Sequence, residues 1–371
     1  MANVVRPELI WIEGRCYRTN GPTMETTVFQ EHDLYEDDVT FSEPDNDEEQ
    51  DDFEVVMIDN NRYSTSMHVA NHYFGSIIGK KGATKMRIER DTHTNIKIPR
   101  QGQTGDILIY GSSASNVKAA RRRINIIVIS SRSKQKFTHF ISIPVKSPDI
   151  IKNFESFKEI TLRECPSKGL EESLFIKPDK LHITVGIMCL MDNEERLHVS
   201  KLLTEAKDTI IMPLIREHLP LRIRLKGTSY MNDDPRAVHV LYALVQEEDA
   251  TPGLLQNLTD ELFKIFHKAG FMEKEFGRDH VKMHVTLLNT RYRSRSSETS
   301  SYASGDVRRH MRNPRISFDG SAILEKFADY DFGLAELETI HLSQAHTLGP
   351  DGYYQPTCVI SCNDGLNSLA V

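Results

Sequence analysis

Lys180-Leu181-His182-Ile183-Thr184-Val185 and Lys282-Met283-His284-Val285-Thr286-Leu287 repeat one pattern, and their histidines lie 102 positions apart. Each reads Lys, apolar, His, β-branched, Thr, apolar. Alternation and β-branching predict a strand for each copy, and side chains two apart on a strand share a face. His182 and Thr184 then share one polar face, and His284 and Thr286 share another. Two imidazoles that titrate near neutrality can divide an in-line displacement at phosphorus. One takes a proton from the attacking water or ribose hydroxyl, and the other protonates the departing oxygen. The threonine hydroxyls would donate hydrogen bonds to the non-bridging oxygens, where negative charge builds up. Lys180 and Lys282 lie one step back on the same faces, either adding positive field at a cleft rim or serving as solvated strand ends. Neither hexad has HExxH or HxH spacing or contains a carboxylate, so no metal and no cofactor are expected.

The elements that must position these residues follow from Lys136 onward. Phe137–Val145 reads as a strand and Pro148–Glu164 as a helix. The first His strand is followed by a helix from Asn193 to Leu214. Leu221–Lys226 and Val238–Gln246 read as strands around the turn-like Met231-Asn232-Asp233-Asp234-Pro235. In the helix Thr251–Ala269, Leu254, Leu255, Leu258, Leu262 and Ile265 fall on one face. The second His strand comes next, and a last αβ portion ends in the strand-like Thr339–Ser343. The two halves match in order and length, which predicts a pseudo-twofold fold with the His strands facing across a cleft. Tyr230 and His341 are further candidates for that cleft; a core tyrosine and a structural histidine are the alternative readings. Thr290–Arg315 holds seven arginines and two acids, as a solvated loop or one that closes over a polyanion.

Charge is distributed unevenly. The net charge is −7, yet residues 1–59 carry 3 basic and 17 acidic side chains, while residues 60–136 carry 15 basic and 3 acidic. The basic segment is a footprint for a polyanion, most simply nucleic acid. Glu31–Glu54 has 13 acids in 24 residues and no Lys or Arg, so it reads as a self-repelling, disordered linker. Leu9-Ile10-Trp11-Ile12, ahead of it, is either a partner-binding motif or a strand of this protein. Five scattered cysteines fit free thiols better than a disulfide framework. The longest apolar run, around Leu181–Met191, is too short to span a bilayer, and the first ten residues lack a secretory pattern. No membrane association is expected.

Within the basic segment a strand ends near Val69, and a short helix leads through Ile77-Ile78 to Gly79-Lys80-Lys81-Gly82. A helix over 83–92, strands over 95–99 and 106–110, and a long helix from Ser115 follow. Glycines without Cβ atoms let backbone amides approach phosphates at a helix N-terminus, and Lys80 and Lys81 add charge. This βααββα order with its GxxG junction resembles a eukaryotic-type KH domain, which implies a groove for about four single-stranded nucleotides. Ile78, Ile88 and Ile96 are candidates for its apolar floor, or for the core.

The two H-x-T motifs resemble those of the 2H phosphoesterases. That resemblance implies an α+β, bilobal, pseudo-twofold domain with two antiparallel sheets lining a cleft. His182 and His284 match the catalytic histidines, and Thr184 and Thr286 the phosphate-binding hydroxyls. The expected organisation is an N-terminal motif and acidic linker (1–59), a KH domain (60–136) and a 2H phosphoesterase-like domain (137–371). The implied activity is a phosphodiesterase acting on single-stranded RNA, with DNA left open; a non-catalytic adaptor that binds phosphate ends is the alternative. The KH–2H combination, with Tyr230–Pro235 and Ile340-His341-Leu342-Ser343-Gln344, also resembles a family of transcriptional cointegrator subunits. It implies a nuclear protein, working with a helicase and other subunits in coactivation and alkylation-damage repair.

Overall fold

The computed structural model describes residues 8–12, 15–19, 53–59, 62–100, 102–103, 105–248, 252–274, 280–293 and 315–363. Nearly all of the acidic linker and residues 294–314 of the arginine-rich loop lie outside them. The Trp11 patch is a strand, β1 (Glu8–Ile12), paired antiparallel with β2 (Arg15–Thr19).

The basic segment folds as β3 (Val56–Asp59), β4 (Arg62–Met67), α1 (Phe74–Ile78), α2 (Ala83–Thr92), β5 (Thr94–Lys97), β6 (Ile107–Gly111) and α3 (Ala114–Ser133). Its sheet runs β3-β4-β6-β5, antiparallel throughout, so the βααββα order holds with one strand added at the edge. Helix α3 starts at Ser113, whose hydroxyl accepts from the Asn116 amide at 3.2 Å. Its buried Val117, Ala120, Ile124 and Val128 recur at helical spacing and cover the sheet. Ile88 and Ile96 are fully buried beside them and belong to the core, whereas Ile78 is half-buried.

The rest builds one larger layer. β7 (His139–Pro144), α4 (Pro148–Glu164), β8 (His182–Met188) and α5 (Asn193–Ala206) lead to α6 (Met212–Ile215) and β9 (Arg222–Tyr230). β10 (Val240–Glu247), α7 (Leu254–Lys268), β11 (His284–Asn289), α8 (Ser321–Lys326), β12 (Asp331–Glu336), β13 (Thr339–Leu348) and β14 (Tyr354–Ser361) complete it. The strand order is β12-β9-β10-β11-β8-β7-β13-β14, antiparallel at every pair. The two expected sheets are thus two four-stranded halves. They abut where β11 meets β8 at Val285 and Ile183, backed by an isolated bridge between Phe175 and Leu288.

Helix packing follows the apolar stripes. α4 is capped by Ser147 and has Pro148 in its first turn, where no N–H is needed. It buries Ile150, Phe154 and Phe157 in the core shared with Leu258, Leu262 and Phe266 of α7. The single helix expected over 193–214 is interrupted. After α5 the chain widens into a π turn over Lys207–Ile211 before α6. Pro213 has no N–H to donate and its ring would crowd the carbonyl one turn back, which accounts for the widening. β14 lies beyond the elements read from the sequence; it contains Pro356, a residue tolerated because β14 is the last strand of the sheet.

The KH-type domain is docked on this layer through the end of α3. Arg132 donates to Glu195 Oε1 at 2.5 Å and to the Gly270 carbonyl. Its guanidinium lies 4.6 Å from the Phe271 ring centroid and 5.5 Å from that of Tyr73. The second Glu195 oxygen accepts from the Met191 amide at 2.7 Å. Nearby, His68 Nε2 is 2.9 Å from Asp192 Oδ2.

Candidate active site

His182 opens β8 and His284 opens β11. Ile183 and Val285 are register partners in this antiparallel pair, so the alternation sets Thr286 across from His182 and His284 across from Thr184. Both hexads are therefore brought together at the seam of the two halves. A cavity of about 1190 Å³ opens over it, lined by His182, Thr184 and Thr286 with Phe140, Tyr292 and Tyr354. Ile129, Arg132 and Lys136, from the end of the KH-type domain, also line it. His284 is half-buried beside the cavity rather than part of its lining, but near enough for its charge to bear on His182.

The two imidazoles are held alike. His182 Nδ1 is 2.6 Å from the Lys180 carbonyl and His284 Nδ1 is 2.7 Å from that of Lys282. A carbonyl only accepts, so each Nδ1 carries a proton, and in the neutral ring Nε2 is left as the basic atom. Burial pushes His182 down to about 4; the Lys180 carbonyl bond opposes that shift and the His284 charge adds to it. At neutral pH His182 is an uncharged base.

Two tyrosines absent from the sequence-based set complete this arrangement. Tyr354 meets His182 edge-on at 5.4 Å and carries Lys180 Nζ 5.5 Å from its ring centroid. Tyr242 does the same for His284, at 5.3 Å, and for Lys282, at 4.9 Å. Each lysine therefore lies against the aromatic ring that flanks its own histidine. Tyr242 comes from β10, next to β11, whereas Tyr354 comes from β14, three strands from β8. The contact set is duplicated though the strand positions are not, and the two tyrosines share no sequence word. Burial raises the Tyr354 hydroxyl, and Tyr292 shares a side-chain hydrogen bond with it.

Of the remaining candidates, Tyr230 ends β9 and donates to the Asp233 carbonyl at 3.4 Å. His341 lies on β13, with Nε2 2.9 Å from Thr339 Oγ1 and its ring edge-on to Tyr353 at 5.5 Å. Neither is in the lining of the cavity. Behind His182, Tyr353 donates to Ser142 at 2.9 Å, and Ser142 is 3.0 Å from Ser343, a buried polar support for the β7–β13 pair. Among the described residues no three His, Cys, Asp or Glu side chains converge as a metal set.

The GxxG turn lies at the start of α2, and its two glycines answer different demands. Gly79 has φ 70° and ψ 177°, and a Cβ there would fall 2.2 Å from Thr84 Oγ1. Gly82 has φ 82° and open space around it, the nearest atom being 3.9 Å away. Lys80 and Lys81 are exposed.

Residues 137–361 match the AKAP7 2'5' RNA ligase-like domain family, and residues 64–126 match the KH domain family. Activating signal cointegrator 1 complex subunit 1 of Mus musculus is 34% identical over 359 residues, 95% of this chain and 97% of that protein. This chain belongs to the activating signal cointegrator 1 complex subunit 1 family. It carries an RNA-binding KH domain followed by a 2H phosphoesterase-like domain. Among solved structures, the first KH type I domain of human Vigilin is similar at 23% identity, over 23% of this chain and 90% of that one, with a TM-score of 0.20.

Proposed function

We propose that this protein is a metal-independent phosphodiesterase that acts on single-stranded RNA or its phosphate ends. The KH domain presents the strand through Gly79, Lys80, Lys81 and Gly82. His182 and His284 act as general base and general acid, and Thr184 and Thr286 hold the non-bridging oxygens. The observation that carries this reading is the matched anchoring of the two imidazoles. Each has Nδ1 tied to the carbonyl of the lysine two residues before it, across the seam from a threonine. A bound phosphate would stabilise the His182 imidazolium and raise its pKa from about 4 toward the working range. Family membership supports the further reading that the protein serves as a nuclear subunit of the activating signal cointegrator 1 complex. There it would act with a helicase and other subunits in transcriptional coactivation and alkylation repair.

The test incubates wild type and a His182→Ala/His284→Ala double variant with labelled single-stranded RNAs in EDTA, some ending in 2′,3′-cyclic phosphate. Product from wild type alone supports the reading. Equal tight binding with no product from either protein would replace it with an adaptor that recognises phosphate ends without turnover.

A further inference from the structure

We propose that Arg291 and Arg315 form a second phosphate subsite, which takes the phosphate of the nucleotide next to the one held at the histidines. This rests on the two-histidine reading and names the substrate class more narrowly: an oligonucleotide with at least two phosphates.

Both side chains line the cavity that holds His182 and Thr286. Asn289 Oδ1 accepts from the Arg291 backbone amide at 3.0 Å and from Arg315 Nη2 at 2.5 Å. Arg315 Nη2 is also 3.3 Å from the His239 carbonyl, which fixes Arg315 beside the turn that carries Arg291. Among the described residues neither guanidinium is in an ion pair. Arg293, two positions on, differs: it meets Glu171 at 3.2 Å and the Gly169 carbonyl, a structural anchor. Arg224 and Arg163 are likewise met by carboxylates. Two adjacent cations on a cavity wall repel each other, and partial burial together with the Arg291 charge lowers the Arg315 pKa. An anion between them removes that repulsion and meets two guanidinium forks.

The subsite also has a direction. β11 carries the chain from Thr286 to Asn289, about 10 Å at ~3.3 Å per residue. That is a span of one to two nucleotide steps, so one strand could reach both places. Because β8 runs the opposite way, its continuation past Thr184 lies at the other end of the cleft. That end presents Ile187, Met188 and Cys189 on the strand, with Lys136, Lys274 and the Glu195-paired Arg132 supplied by neighbouring elements. Arg291 and Arg315 lie beyond the end of β11, in reach of a strand whose phosphate is held at Thr286, so the second phosphate belongs on the Asn289 side.

The experiment uses the full chain carrying His182→Ala, so that nothing turns over. Calorimetry compares an RNA dinucleotide with the same dinucleotide bearing an added 5′- or 3′-phosphate. The added phosphate at one end should tighten binding at least 10-fold, and by less than 2-fold once Arg291→Ala is added. Arg315→Lys, which keeps the charge, should retain most of the gain, with melting temperatures confirming the fold of each variant. Equal tightening with and without Arg291, or none at either end, overturns the subsite. Turnover of a 2′,3′-cyclic mononucleotide by the protein with His182 intact tests the two-histidine reading by itself. Its failure beside intact phosphate-dependent binding would reject that reading and keep the subsite.

Discussion

Replacing His182 with glutamine should change how stability depends on pH. Burial holds His182 at about 4 in the folded protein, against 6.5 for an ordinary histidine. Its folded-state pKa is depressed, so the stability it contributes is fully present above pH 6.5 and is lost as pH falls through 4. The gap between 6.5 and about 4, at ~1.4 kcal/mol per pH unit, is worth about 3.5 kcal/mol, of which about 3 kcal/mol is lost by pH 4. A glutamine at this position cannot titrate. Wild type should therefore lose about 3 kcal/mol more than the His182→Gln variant between pH 7 and pH 4. His139 is also pushed down to about 4, by burial and then by the Arg196 charge, but it is present in both proteins and cancels. The assay is urea unfolding of both full chains, followed by circular dichroism at a series of pH values. A stability difference that stays the same at pH 4 and pH 7 would refute a buried, neutral His182, and with it the assignment of an uncharged base at the seam.

Two further substitutions separate structure from binding. Gly79→Ala should destabilise the KH domain by about 1–3 kcal/mol from backbone strain alone, with the Thr84 clash added. Gly82→Asp, at an open left-handed position, should cost about 1–2 kcal/mol yet weaken RNA affinity at least 10-fold by placing negative charge at the phosphate path; unchanged affinity would remove that role. Arg132→Ala leaves Glu195 buried without its partner, a change that costs about 3–5 kcal/mol. Calorimetry should then resolve the KH and 2H-like domains as two melting steps, and a single unshifted transition would show that the contact does not couple them.

Much of this arrangement was legible in local sequence. The hexads announce themselves as strands because Ile183, Val185, Val285 and Leu287 alternate with polar neighbours. The direct pairing of β8 with β11, in place of two strands facing across a cleft, is instead a tertiary contact that no local pattern encodes. The GxxG junction was legible as the hexads were: a short-range rule governs it. Helix α4 was bounded by Ser147 and Pro148 at one end and by the loss of periodicity at the other. What escaped depends on contacts between distant residues. Tyr242 and Tyr354 acquire their meaning only when β10 and β14 are brought to the histidines, and no spacing relates them. β14 itself was hidden because Pro356 argues against a strand until its edge position is known. The π turn after α5 needed the Pro213 ring to be weighed against a continuous apolar stripe. Arg132 looked like one basic residue among fifteen in its segment; its ion pair with Glu195 spans two domains.

The matched anchoring of the two histidines bears on reversibility. A ring tied at Nδ1 to a carbonyl, flanked by a tyrosine and set across from a threonine, recurs on both sides of the seam. Under the proposed chemistry, attack and its reverse pass through the same transition state, with the proton donor and acceptor exchanging places. A pair of imidazoles anchored alike is suited to either direction, so that anchoring alone does not choose between cleaving a phosphodiester and opening a cyclic one. The choice falls to how a strand lies in the cleft, and therefore to the features that the two halves do not share.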